Sequence, residues 1–176
     1  MTRFFTERLD QHDRSGFVSG NDRIDAYFAR QVSQDVKRNY AACYVLVDKA
    51  SMKLAGFYTL SAHTIPLTEL PPEIARKLPR YPSVPAVLIG WMGRHQDLRG
   101  QSVGSLLLAD AIARLVHSPA GVHGICADAD ADTLDEAAAA FYRAHQFEPF
   151  QSRPGSLFLP MRTALALFKP PGSPAP

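Results

Sequence analysis

The stretch that most limits what this chain can become is AVLIGWMGRHQDLRGQSVGSLLLADAIARLV, residues 86–116. Its first ten residues form an apolar run that predicts a buried central strand. From Leu106 to Val116 a helical pattern takes over, with Gly104, Leu107, Leu108, Ala111, Ile112 and Leu115 on one stripe. Between the two lies a short connection holding three small residues, Gly100, Ser102 and Gly104. Glycine disfavours helix, so its placement where a helix begins calls for a backbone reason. A helix start exposes amides without intrahelical partners, and its dipole favours negative charge. A compact loop feeding that start lets several amides converge on a phosphate, and Arg99 adds a cation. The segment therefore reads either as a loose helix start or as a phosphate cradle. Neither Gly-Lys-Ser/Thr nor Gly-x-Gly-x-x-Gly is present, which disfavours a nucleotide triphosphatase and a nicotinamide enzyme.

The flanking segments supply more helices and strands. Residues 19–38 predict a helix, with Ile24, Tyr27, Phe28 and Val32 at helical spacing. AACYVLVD (41–48) and KLAGFYTLSAHTI (53–65) predict a hairpin. Pro71 and Pro72 open a short helix that Pro79 and Pro82 prevent from continuing. GVHGICADA (121–129) predicts a strand, DTLDEAAAAFYRAH (132–145) a helix, and FEPF and SLFLPM two last short strands. The expectation is one α/β domain over 1–165, with a disordered proline-rich tail over 166–176.

Bulk properties narrow the function classes. No run approaches the roughly 18 apolar residues of a membrane span, and MTRFFTERLDQHDRSG lacks the apolar core of an export signal. Cys43 and Cys126 each lie in an apolar run, so they read as buried free thiols in a reducing cytoplasm. The net charge is only +2, yet Arg30, Lys37 and Arg38 cluster early, and Arg76, Lys77 and Arg80 cluster later. Such groups read either as contacts to a phosphate-bearing partner or as a solvated face. Asp128, Asp130 and Asp132 alternate, but an EF-hand would need glycine at Thr133 and glutamate at Ala139. Asp132 or Thr133 is better read as a helix cap, and no metal is expected.

RGQSVG, from Arg99 to Gly104, resembles the acetyl-coenzyme A loop of the GNAT N-acetyltransferases, with Ser102 standing where that pattern prefers glycine. DTLDEAAAAFYRAHQFEPF resembles the family's last segment and places Tyr142 at its tyrosine position, with Asp135 seven residues earlier. FVSGNDRIDAYFARQVSQDVKRNYAACYVLVD, AGFYTLSAHTI, IARKLPRYPSVPAVLIG and LFLPM together resemble the toxin branch of type II toxin–antitoxin systems, from about residue 17 to Met161. After LIG that branch continues with arginine; here Trp91 stands instead, and Arg94 and His95 replace an apolar and an acidic residue.

The resemblance implies a GNAT fold, a mixed central sheet flanked by helices with a splayed central strand. It also implies acetyl transfer from acetyl-coenzyme A to the α-amino group of aminoacyl-tRNA by a translation-inhibiting toxin. Arg99, Gly100, Gln101, Ser102, Val103 and Gly104 would hold the diphosphate, and backbone groups of Met92, Gly93 and Arg94 the pantetheine arm, which Asp135 would face. Tyr142 would be the general acid, and the six clustered cations would contact tRNA. His95 is a weaker candidate base, His63 weaker still. A ribbon-helix-helix antitoxin and a homodimer are implied as partners. Two alternatives remain: acetylation of a small amine or protein N-terminus, and a coenzyme A-binding member with weakened catalysis.

Overall fold

The structure, a computed structural model, describes residues 3–128, 136–153 and 155–168. It has two compact units, Met1–Ser61 with Ile89–Ala111, and Ala62–Leu88 with Ile112–Pro176. Strands β3 (Leu54–Pro66) and β4 (Ser83–Arg94) and helix α4 (Val103–Val116) each contribute residues to both units.

The first unit also holds β1 (Phe4–Arg8), α1 (Asp22–Arg30), α2 (Val32–Lys37) and β2 (Ala42–Asp48). β1 runs antiparallel to β2, from Phe4 opposite Asp48 to Arg8 opposite Tyr44. β2 pairs antiparallel with β3, slipping by one residue where Leu46 faces Gly56 and Val47 faces Leu54. The predicted helix over 19–38 is two helices. Asn21 caps α1 by accepting from the amides of Arg23 and Ile24, and Asp22 and Asp25 complement the dipole in its first turn. Gln31, at φ −112°, ends α1 by donating to the Tyr27 carbonyl and caps α2.

The faces of α1 and α2 that carry Tyr27, Phe28 and Val32 bury those residues with Phe17, Val45, Val47 and Phe57. Phe28 and Phe57 stack with centroids 3.9 Å apart and planes 10° from parallel. Two glycines permit close approach. A Cβ on Gly56 would lie 2.7 Å from Leu107 Cδ1 and 2.9 Å from the Gly93 carbonyl oxygen. One on Gly93 would lie 2.7 Å from Ile24 Cγ2 and 3.0 Å from Phe57 Cε1.

The second unit adds a 3-10 turn (Leu67–Glu69), α3 (Pro72–Ala75), β5 (Gly124–Asp128), α5 (Glu136–Ala144), β6 (Glu148–Pro149), β7 (Ser156–Pro160) and α6 (Met161–Leu167). β7 is antiparallel to both β5 and β6. Its core gathers Ile65, Leu70, Val84, Cys126, Phe150 and Phe158. β4 starts earlier than the predicted residue 86, because the segment through Pro85 is extended and the Pro85 carbonyl accepts from His123 at 2.8 Å. α6 follows Pro160 and runs to Leu167, two residues into the expected tail; residues from 169 onward lie outside the described part. The strand order β1-β2-β3-β4-β5-β7-β6 makes a mixed α/β sheet flanked by helices.

Candidate functional site

Within the first unit the order is β1-β2-β3-β4, so β4 is the last strand there. Its final residues Met92, Gly93 and Arg94 lead into His95, whose amide donates to the Ala55 carbonyl at 2.8 Å. The chain then makes a 3-10 turn at Gln96–Leu98. His95 Nδ1 caps that turn by accepting from the Asp97 amide at 3.3 Å, while Nε2 lies 3.2 Å from the Gly16 carbonyl. Both ring nitrogens thus have a partner within the first unit. His63 lies half-buried in the part of β3 that belongs to the second unit.

Arg99, Gly100, Gln101 and Ser102 are exposed, and Val103 and Gly104 begin α4. Gly100 has φ +79° with nothing within 4 Å of a Cβ placed there, and Ser102 has φ +57°. Ser102 therefore takes the left-handed backbone that favours glycine, a conformation costly to a residue with a Cβ. The ladder of α4 opens with the Leu106 amide on the Ser102 carbonyl at 3.0 Å, placing the amides of Val103 and Gly104 ahead of it. No acid occupies the first turn of α4. Among the described residues Arg99 makes no ion pair or side-chain hydrogen bond. The result is an exposed, positively polarised helix start that suits an anion.

Gln101 is fixed from two sides. Its amide nitrogen donates to the Asp97 carbonyl at 3.3 Å, and its side-chain oxygen accepts from Arg3 Nη1 at 3.0 Å. Arg3 Nε donates in turn to Asp48 Oδ2 at 2.7 Å. A cavity of about 700 Å³ opens beside this bridge, its lining including Arg3, Asp48, Lys53, His95 and Leu98. Sequence reasoning did not find Arg3, which stands 98 residues from Gln101 with no motif of its own.

Trp91 forms part of an aromatic stack. It lies flat against Tyr27, centroids 4.3 Å apart and planes 8° from parallel, and its backbone amide donates to Thr59 Oγ1 at 2.9 Å. The Tyr27 hydroxyl donates to Asp35 at 3.0 Å, so a partly buried aromatic stack joins β4 to α1. Burial first, then the Asp35 bond, pushes the Tyr27 phenol up.

In the second unit Tyr142 sits on α5 at 6% exposure, its ring 5.3 Å from Phe147 and 5.4 Å from Phe141. Burial raises its phenol above the ordinary value, and the Asp128 carboxylate adds to the effect. Asp135 lies outside the described residues. Arg30, Lys37 and Arg38 are exposed on the α1–α2 segment of the first unit, and Arg76, Lys77 and Arg80 on and after α3 in the second. Arg76 Nε donates to the Pro72 carbonyl; the other five make no side-chain ion pair or hydrogen bond among the described residues.

No protein-family model matches the chain. A probable toxin TacT of Sinorhizobium fredii is 30% identical over 168 residues, covering 92% of this chain and 93% of that protein. The chain belongs to the TacT family of acetyltransferase toxins. Another family relative, a tRNA-acetylating toxin of Mycobacterium tuberculosis, is 29% identical over 160 residues, 90% of this chain and 92% of the relative. AtaT complexed with acetyl-methionyl-tRNAfMet has the same fold, at TM-score 0.84 and 22% identity over 94% of this chain and 99% of AtaT. So does a Tyr→Phe variant of AtaT bound to acetyl-coenzyme A and the C-terminus of the antitoxin AtaR, at TM-score 0.76 and 21% identity over 96% of this chain and all of that one. This chain and AtaT share the GNAT fold, and no described helix of the chain is long and apolar enough to cross a membrane.

Proposed function

We propose that this chain moves an acetyl group from acetyl-coenzyme A to the α-amino group of an aminoacyl-tRNA, and so withdraws that tRNA from translation. The observation that carries this reading is the start of α4. Gly100 and Ser102 hold left-handed backbone in an exposed loop, no acid occupies the first turn, and Arg99 has no ion-pair partner among the described residues. A diphosphate fits such a site.

Bound there, acetyl-coenzyme A supplies the acetyl group as a thioester. Arg99, Gly100, Gln101, Ser102, Val103 and Gly104 hold the diphosphate, with Gln101 positioned by Arg3. Met92, Gly93 and Arg94 offer the backbone groups of the last strand of the first unit to the pantetheine arm; Asp135, which the resemblance assigns to that arm, lies outside the described residues. Tyr142 holds a proton on its phenolic oxygen for the departing sulfur. Burial keeps that proton in place at neutral pH, since the phenol is raised from a value already near 10. An α-amino group titrates near ~8, so part of it is neutral at working pH. The engagement of both His95 nitrogens is consistent with catalysis that needs no dedicated base.

Arg30, Lys37, Arg38, Arg76, Lys77 and Arg80 contact tRNA phosphates, which fixes position without reading sequence. The protein acts in the cytoplasm as one acetyltransferase domain, forms a homodimer, and is neutralised by a ribbon-helix-helix antitoxin. Support for an antitoxin comes from the toxin relatives and from the fold shared with AtaR-bound AtaT.

The test is incubation with labelled acetyl-coenzyme A and bulk charged tRNA, followed by isolation of the aminoacyl ester. Label on the α-nitrogen is expected. Transfer to small amines or protein N-termini with none to charged tRNA would refute the proposal. Tyr142→Phe is expected to lower kcat by about 100-fold or more while acetyl-coenzyme A binds within twofold of normal. An undiminished kcat would remove Tyr142 from its role.

A further inference from the structure

The turn after α2 presents an aromatic ring in an unusual way. Asn39 has φ +59°, its amide donates to the Val36 carbonyl at 3.2 Å, and the Tyr40 amide donates to the Asp35 carbonyl at 2.9 Å. These two bonds form the Schellman arrangement, in which the residue at the Tyr40 position commonly folds its side chain back on the helix. Here the ring is 72% exposed instead. Its backbone is nevertheless fixed at both ends, because Ser61 Oγ donates to the Tyr40 carbonyl at 2.9 Å. Lys37 and Arg38 stand three and two residues before it, and Arg30 ends the neighbouring helix; all three are exposed and make no ion pair among the described residues. The helix dipole accounts for cations at this end of α2. It does not account for a large ring held out in water on an anchored backbone.

We propose that Tyr40 is a stacking platform for an unpaired base of the tRNA substrate, with Lys37 and Arg38 drawing in the adjacent phosphates. The inference rests on the tRNA reading above. Exposed aromatic rings beside cations are how proteins hold single-stranded nucleic acid, because every base offers a π-face and the cations track the backbone. A tyrosine ring gives that contact at little entropic cost, having few torsions to freeze.

The experiment measures binding of bulk deacylated tRNA by fluorescence anisotropy at several salt concentrations, for the full chain and for Tyr40→Ala, Tyr40→Trp and Lys37→Gln. Thermal melts of each variant control for folding. Tyr40→Ala is expected to weaken binding roughly tenfold, whereas Tyr40→Trp keeps it. The salt slope should be unchanged in Tyr40→Ala and smaller by about 0.7–0.9 in Lys37→Gln, since only the second releases fewer counterions. Equal affinity of Tyr40→Ala and the unaltered chain overturns the proposal. So does an equal loss in Tyr40→Trp, which would make the ring a generic contact.

Acetylation of charged tRNA is measured in parallel. Acetylation that proceeds while Tyr40→Ala binds tRNA normally sinks this inference alone. A tenfold binding loss without any acetylation of charged tRNA sinks the enzymatic reading and upholds Tyr40 as an RNA contact.

Discussion

Replacing Ser102 by glycine should make the protein more stable without weakening its grip on acetyl-coenzyme A. Ser102 holds φ +57° immediately before α4. A residue with a Cβ in that region carries a cost of roughly 1–2 kcal/mol, which glycine does not. Glycine in turn makes the unfolded chain freer, offsetting about 0.4–1 kcal/mol. The balance is a gain on the order of 0.5–1 kcal/mol, or a rise in Tm of about 1–4 °C for a chain of this size. Urea unfolding is the assay, read as a midpoint shift at constant slope. Ser102→Ala is the control: it keeps the left-handed cost and should unfold within about 0.5 kcal/mol of the unaltered chain. Both variants keep the backbone amide, so calorimetry should give them nearly the same Kd for acetyl-coenzyme A. A Ser102→Gly protein no more stable than Ser102→Ala would refute the strain argument. An affinity loss of tenfold or more in Ser102→Ala would assign the contact to the hydroxyl and refute the amide argument.

Other consequences can be measured on the same material. Gly56→Ala should destabilise by about 1–3 kcal/mol in urea, because its methyl would meet a backbone carbonyl at 2.9 Å that has no rotamer to change. The Arg3 hydrogen bond holds the Asp48 carboxyl below its usual range, so the stability it confers is present above the unfolded value near ~3.9 and is lost as pH falls through the folded value. The gap in urea midpoint between the protein and Asp48→Asn should therefore be open at neutral pH and close in acid; a gap that widened on acidification would contradict the assignment. Cys43 and Cys126 are buried, and burial pushes both thiols up to about 12. Neither should react with a disulfide reagent at pH 8 until urea is added, as thiol absorbance of the released product will report.

The parts of the fold legible in the sequence are those whose signal is local. The stripe predicted on α4 is buried as expected, with Leu107, Leu108 and Ala111 fully covered, because helical periodicity and burial are the same fact seen twice. The hairpin of β2 and β3 falls within one residue of its predicted bounds for a similar reason. β1 left no such trace. FFTER is short, carries two charges, and is a strand only because Phe4–Arg8 has a ladder to join on β2, which lies some forty residues away. α6 was hidden by Pro160, which reads as the end of structure yet caps a helix whose next residue is Met161. At the candidate site, the small residues announce a special backbone, and Ser102 stands out as the one that carries a Cβ among the three. The bridge from Asp48 through Arg3 to Gln101 was invisible, since ion pairs across long separations have no spacing to read. The stack of Trp91 on Tyr27 was equally hidden, because the departure from arginine was legible but its partner on α1 was not.

That stack leaves the protein with a built-in optical reporter. The chain has one tryptophan, so indole emission comes from a single point, flat against Tyr27 and one residue ahead of Met92. Loosening of α1 from its strand, or binding at the proposed Met92–Arg94 segment, is expected to change intrinsic fluorescence without attaching a dye.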